Sequence, residues 1–132
     1  MPGDDEEDDA AACAHAQPAV RLPDPAVVER AAAIFRAAGD PARLALLAML
    51  SAGERCVSEL AEASGDAMST VSQRLRVLRT EGMIRRRRDG KHIHYGLADD
   101  HVADLVRGVL EHADHIHDDP RPASRSSKRR KR

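Results

Sequence analysis

Apolar residues recur at helical spacing in five stretches of this chain, and two short strand-like runs separate the fourth stretch from the fifth. Asp24-Pro25 and Asp40-Pro41 each pair an N-capping acid with proline at a first helical position. The first helix, over about 25–38, is expected to bury Val28, Ala31, Ile34, Phe35 and Ala38 and to end on Gly39 as a left-handed cap. A second, over about 41–51, presents Leu44, Leu47, Ala48 and Leu50, and stops before Gly53. A short third runs from Ser58 through Ala63 around Leu60, with Gly65 as its turn. The fourth, over about 67–81, sets Met68, Val71, Leu75 and Leu78 on one stripe and closes at Gly82. Within Met83–Leu97, Asp89-Gly90 is the expected two-residue hairpin turn. A last helix begins near Asp99. The order predicts a mainly α fold: a winged helix-turn-helix with a β-hairpin wing, dimerising through its terminal helices.

Composition adds two tails and removes several function classes. The 132 residues support one small domain. Phe35 and Tyr95 are the only aromatics, so the core must be built from Ala, Leu, Val and Ile in closely packed helices. The net charge of −1 conceals −6 over residues 4–9 and +7 over residues 121–132. An acidic, Ala-rich tail is expected over 1–22, a folded domain over 23–118 and a basic tail over 119–132. The longest apolar run, Leu44–Leu50, is seven residues and cannot span a membrane. The acidic N-terminus lacks a hydrophobic signal region, and Cys13 and Cys56 do not make a disulfide framework, so a cytoplasmic protein is expected.

Between Thr70 and Tyr95 there are eight Arg or Lys against two acids. On the fourth helix, Ser69, Thr70, Gln73 and Arg76 lie opposite the apolar stripe, flanked by Ser72 and Arg74. Such side chains hydrogen-bond to phosphates and to base edges in a major groove. Arg85, Arg86, Arg87, Arg88 and Lys91 follow on the hairpin, and so many cations on so short a segment call for a polyanion. The expected partner is double-stranded operator DNA.

The last helix carries Asp99-x-His101 and His112-x-x-His115. Eleven residues separate His101 from His112, three turns, so both share a face. They are nonetheless roughly 16 Å apart, too far for one ion at metal–nitrogen bonds of about 2 Å. Two antiparallel copies would bring Asp99 and His101 of one chain to His112 and His115 of the other, making two sites per homodimer. The plainer reading is a solvated helix that happens to be rich in His and Asp. One carboxylate and three imidazoles suit Zn(II), and also Co(II).

These stretches resemble the ArsR/SmtB family of bacterial metal-responsive repressors over about residues 25–117. ERCVSEL (54–60) is similar to the family's Glu-Leu-Cys-Val-x-Asp-Leu box, STVSQRLRVLRTEGMI (69–84) to its recognition helix, and GKHIHYGL (90–97) to the second wing strand. The Asp99, His101, His112, His115 set matches the family's metal site on the C-terminal helix. The resemblance implies a homodimeric repressor of an efflux or sequestration operon that leaves DNA when metal binds. Some relatives build a second site from an N-terminal Cys/His arm and this box, which here would join Cys13, His15, Cys56 and Glu59, against the simpler reading of Cys56 as a small buried hydrophobe. His117 extends the ligand run in the manner of nickel and cobalt sensors, so Zn(II) leads and Ni(II) or Co(II) follow as effectors. Two departures stand out: Ser58 replaces the box's second cysteine, and Ser72-Gln73-Arg74-Leu75 replaces the common Ser-x-His-Leu. The chain has no His-Glu-x-x-His, nucleophile elbow or Gly-rich phosphate loop, so an enzyme is not expected. A winged-helix regulator indifferent to metal is the alternative.

Overall fold

A computed structural model describes residues 17–118, with side chains through Ile116. Residues 1–16 and 119–132, which hold most of both expected tails together with Cys13 and His15, lie outside this range. Residues 17–24 are exposed and have no regular structure. Five helices and one hairpin follow: α1 (Pro25–Ala38), α2 (Pro41–Leu50), α3 (Val57–Ser64), α4 (Met68–Thr80), β1 (Ile84–Asp89), β2 (His92–Leu97) and α5 (Asp100–Asp118).

The helix starts form as their residue types dictate. Asp24 accepts from the Ala26 N–H and Asp40 from the Arg43 N–H, each at 3.0 Å. Pro25 and Pro41 sit where a missing N–H leaves no bond unmade. The expected left-handed cap at Gly39 is not found, because its φ is −81°. A Cβ there would lie 3.0 Å from the Phe35 carbonyl oxygen, so bulk, not handedness, is what this position excludes. Arg43 takes over the capping: Nε donates to the Ala37 carbonyl at 2.6 Å and Nη2 to that of Arg36 at 3.4 Å.

The core joins Leu46, Leu47 and Leu50 of α2 to Leu60 and Ala61 of α3 and to Val71, Leu75 and Leu78 of α4. Met83, Ile84, Tyr95 and Leu97 at the base of the wing, Val106 of α5 and Ala37 of α1 complete it. Two expectations about the core fail. Met68, the first residue of α4, is exposed, because the helix begins beyond the edge of the core. On α1, Val28, Ala31 and Phe35 are exposed, with Phe35 at 59%, and the buried residue is Ala37. The α1 stripe is therefore divided: Ile34 and Ala38 pack against the core, while its outer side, with Val28, Ala31 and Phe35, faces away from it. Together with Leu105 and Val109 of α5 it borders an apolar groove of about 150 Å³.

The two strands pair antiparallel, from Ile84 opposite Leu97 to Asp89 opposite His92. Gly90 and Lys91 therefore form the loop, one position later than the expected Asp89-Gly90. The register is set at the base, where buried Ile84 meets buried Leu97, and Gly90 at φ 65° supplies the tight reversal. Arg55 exchanges both backbone hydrogen bonds with Tyr95, at 3.0 and 2.8 Å, which ties the segment before α3 to the outer edge of β2.

Candidate nucleic-acid interface and metal ligands

The turn between α3 and α4 begins at Gly65, whose φ is 79° and whose N–H donates to the Ala61 carbonyl at 2.8 Å. Val71, Leu75 and Leu78 anchor α4 inward, which leaves Ser69, Ser72, Gln73 and Arg76 as an exposed stripe at i, i+3, i+4 and i+7. Thr70 and Arg74 are half-buried. Arg74 is already engaged, with Nη1 2.7 Å from Asp66 Oδ2 in the turn. The N-cap of α4 is Ala67, so no capping side chain accepts from the first-turn amides.

The wing separates its cations by face. Successive strand residues point to opposite sides, so Arg86 and Arg88 share the face of Ile84, whereas Arg85 and Arg87 share the other with Asp89. Glu54, just before the Arg55 bridge, reaches both arginines of that second face. Its Oε2 lies 3.2 Å from Arg85 Nη2, and its Oε1 lies 2.7 Å from Arg87 Nη2. The Arg87 hydrogen bond holds the Glu54 carboxyl below its ordinary value, and the same pairing raises Arg87. Arg86, Arg88 and Lys91 have no carboxylate partner among the described residues. Glu54 escaped the sequence reading because its partners are 31 and 33 positions away and no local pattern marks it.

Of the expected metal ligands, Asp99 caps α5: its Oδ1 accepts from the Val102 N–H at 3.1 Å and lies 3.7 Å from His101 Nδ1. His101, His112 and His115 are exposed. Among the described residues of one chain, no three His, Cys, Asp or Glu side chains converge on a point that could hold an ion. His101, Leu105, Val109, His112 and Ile116 follow one another by three or four residues and so form one stripe of α5. Leu105, Val109 and Ile116 on that stripe are 36–44% exposed. The side chain of His117 lies outside the described residues. Of the second expected set, Cys56 is the partly buried N-cap of α3, and Glu59 Oε1 accepts from its backbone N–H at 2.9 Å. That hydrogen bond is the main cause lowering the Glu59 carboxyl. One cleft of about 330 Å³ is lined by Glu54 and Arg85 on the wing side and by Asp99 and Asp100 at the start of α5.

The model of the arsR family of bacterial regulatory proteins matches residues 40–86. The chain is 42% identical over 84 residues to a transcriptional repressor SmtB homolog of Synechocystis sp., covering 64% of each chain. It is 42% identical over 86 residues to the transcriptional regulator NmtR of Mycobacterium tuberculosis, covering 65% of this chain and 72% of that one. Among solved structures it resembles the homodimeric winged helix-turn-helix domain of Mb0332 from Mycobacterium bovis, with TM-score 0.69 and 29% identity over 80% of this chain and all of that one. The solution structure of apo-NmtR aligns with TM-score 0.64 and 35% identity over 86% of this chain and 95% of that one.

Proposed function

The chain belongs to the ArsR family of bacterial regulatory proteins, which are DNA-binding transcriptional regulators and not enzymes, and we propose that it is a metal-released homodimeric repressor. In this reading α4 enters the major groove of an operator, with Ser69, Thr70, Ser72, Gln73, Arg74 and Arg76 as its contacts. The amides of its first turn and the wing cations Arg86, Arg88 and Lys91 take the phosphates, while Arg85 and Arg87, also expected as contacts from the sequence, stand paired with Glu54. Two copies pair through the outward apolar faces of α1 and α5. Asp99 and His101 of one chain then join His112 and His115 of the other around Zn(II), or Ni(II) or Co(II).

The observation that carries this reading is the α5 stripe. His101 and His112 are in line with Leu105, Val109 and Ile116, which the described residues leave 36–44% exposed. Whatever buries those apolar residues also reaches the histidines. The donor set suits the ion: the helix cap uses one Asp99 oxygen and leaves the other, and three exposed imidazoles complete a tetrahedral complement. A bound ion would cross-link the two α5 helices. The cleft shared by Asp99, Arg85 and Glu54 offers a short physical route from α5 to the wing. By linkage, an ion that favours a dimer geometry poor at binding DNA is itself bound less well on DNA, by the same factor. Two relatives named for metals support the effector class: a probable mercury resistance operon repressor of Streptomyces lividans and a cadmium resistance regulatory protein CadC homolog of Staphylococcus aureus. The capping duty of Asp99 favours a second reading, a winged-helix regulator that does not sense metal.

Complementation separates the two. His101→Ala and His112→Ala homodimers should each lose tight zinc binding. Their heterodimer places both defects in one site and leaves the other whole, so it should regain about one tight ion per dimer, against two for the parent. A heterodimer without tight metal sinks the shared site.

A further inference from the structure

The wing offers less free charge than its sequence suggests. Glu54 is anchored by the Arg55–Tyr95 backbone bridge and meets Arg87 at Oε1, with Nε at 3.2 Å and Nη2 at 2.7 Å. Its Oε2 meets Arg85 Nη2 at 3.2 Å, and Arg85 also donates to the Leu97 carbonyl. Asp89 Oδ2 stands a further 3.9 Å from Arg87 Nη1. The Glu54 side chain is 26% exposed and its two arginine partners about half exposed, so the pairing lies at the surface, where phosphate can compete for it. Room for it comes from Gly96, where a Cβ would lie 3.1 Å from Glu54 Cγ and 3.4 Å from the Arg85 guanidinium. Arg86, Arg88 and Lys91 have no such partner among the described residues and are exposed.

We propose that Glu54 is a positioning residue for DNA binding, an internal counter-ion that withholds Arg85 and Arg87 from phosphate and leaves Arg86, Arg88 and Lys91 as the working cations of the wing. This rests on the family's DNA-binding function and assigns a role to a residue outside the DNA-contacting set. The chemistry is a competition between one fixed carboxylate and the mobile phosphates of a duplex for the same two guanidinium groups. Sequence-independent affinity grows with each phosphate neutralised, through release of condensed counterions. A regulator that hides two cations lowers that background without touching the base-reading stripe of α4. Glu54 therefore limits how much of the wing's charge enters sequence-independent binding. Its lowered carboxyl keeps the counter-ion charged at neutral pH.

The test is a salt titration of the full chain on a short duplex of mixed sequence. Glu54→Gln should bind more tightly than the parent, by roughly tenfold or more near 0.1 M salt, with a log–log slope steeper by roughly 0.9 for each arginine released. Adding Arg85→Ala and Arg87→Ala to Glu54→Gln should return the slope to that of the parent. The same two alanines in the parent background leave Glu54 without its partners and should weaken binding without steepening the slope. A merely structural Glu54 would instead weaken binding or leave the slope constant, whatever the change in melting temperature, and that outcome overturns the proposal. So does a steep slope that survives loss of both arginines. Parent protein that fails to bind the duplex even at low salt would overturn the DNA-binding reading itself, a result distinct from either.

Discussion

Asp99 accepts from the Val102 N–H through Oδ1 and so caps α5, while its second oxygen is the one proposed for the metal. Asparagine caps a helix about as well as aspartate but offers a far poorer metal ligand. Asp99→Asn should therefore leave the melting temperature near that of the parent. Zinc affinity, read by competition with a chromophoric chelator, should fall by at least the roughly 10–100-fold that loss of an outer-shell partner costs. Equal affinity in the two proteins would remove Asp99 from the ligand set. Arg74 is a comparable case on the DNA side. Its residue type and position suit a groove contact, yet its guanidinium is bound to Asp66 across the turn. Binding a base or phosphate would require exchanging that partner, which Gln73, exposed on the same helix, need not do.

Two elements depend on carboxylates held below their ordinary value. Glu59 closes the N-terminus of α3 through the Cys56 N–H, and Glu54 ties the segment before α3 to β1. A lowered folded value means that each contribution is complete above the ordinary value of 4.5 and is lost as pH falls through the lowered one. Thermal unfolding followed against pH should show Glu59→Gln and Glu54→Gln less stable than the parent at neutral pH. The difference should shrink on the acid side of 4.5, where the parent loses the same charges. A gap that stays constant down to the acid limit would show that neither carboxylate acts through its charge.

At the scale of the whole molecule, the chain leaves an apolar face open. Phe35, Val28, Leu105, Val109 and Leu110 are 36–59% exposed, and part of this surface borders the groove between α1 and α5. If that face joins two copies, a charge in its centre is costly, because the aspartate would be buried without a partner. Val109→Asp should shift the protein from dimer to monomer in sedimentation velocity. Operator binding and tight zinc binding should both be lost with it, since each needs two chains in the proposed arrangement. A Val109→Asp protein that remains dimeric would place the interface elsewhere.

Helix positions, the wing and the basic surface were legible in the chain because they rest on local chemistry. Asp24-Pro25 and Asp40-Pro41 each start a helix from their own chemistry, and Val71, Leu75 and Leu78 at helical spacing define an inward stripe without any knowledge of what they meet. The candidate ligands on α5 were equally legible, since spacing along one helix fixes which residues share a face. What the residues could not reveal depended on partners distant along the chain. The α1 stripe reads as core by periodicity, yet α1 gives the core only Ala37, with Ile34 and Ala38 packed against it, and Val28, Ala31 and Phe35 stay exposed. The hairpin loop shifted by one residue because the register follows burial of Ile84 and Leu97 at the base, not turn propensity at the tip. Gly39 serves a close approach to the Phe35 carbonyl, which only the packed turn creates. The sign of charge on the wing was plain from its arginines, but how much of it is free was decided by Glu54, brought to them by a backbone bridge between Arg55 and Tyr95 that no local pattern encodes.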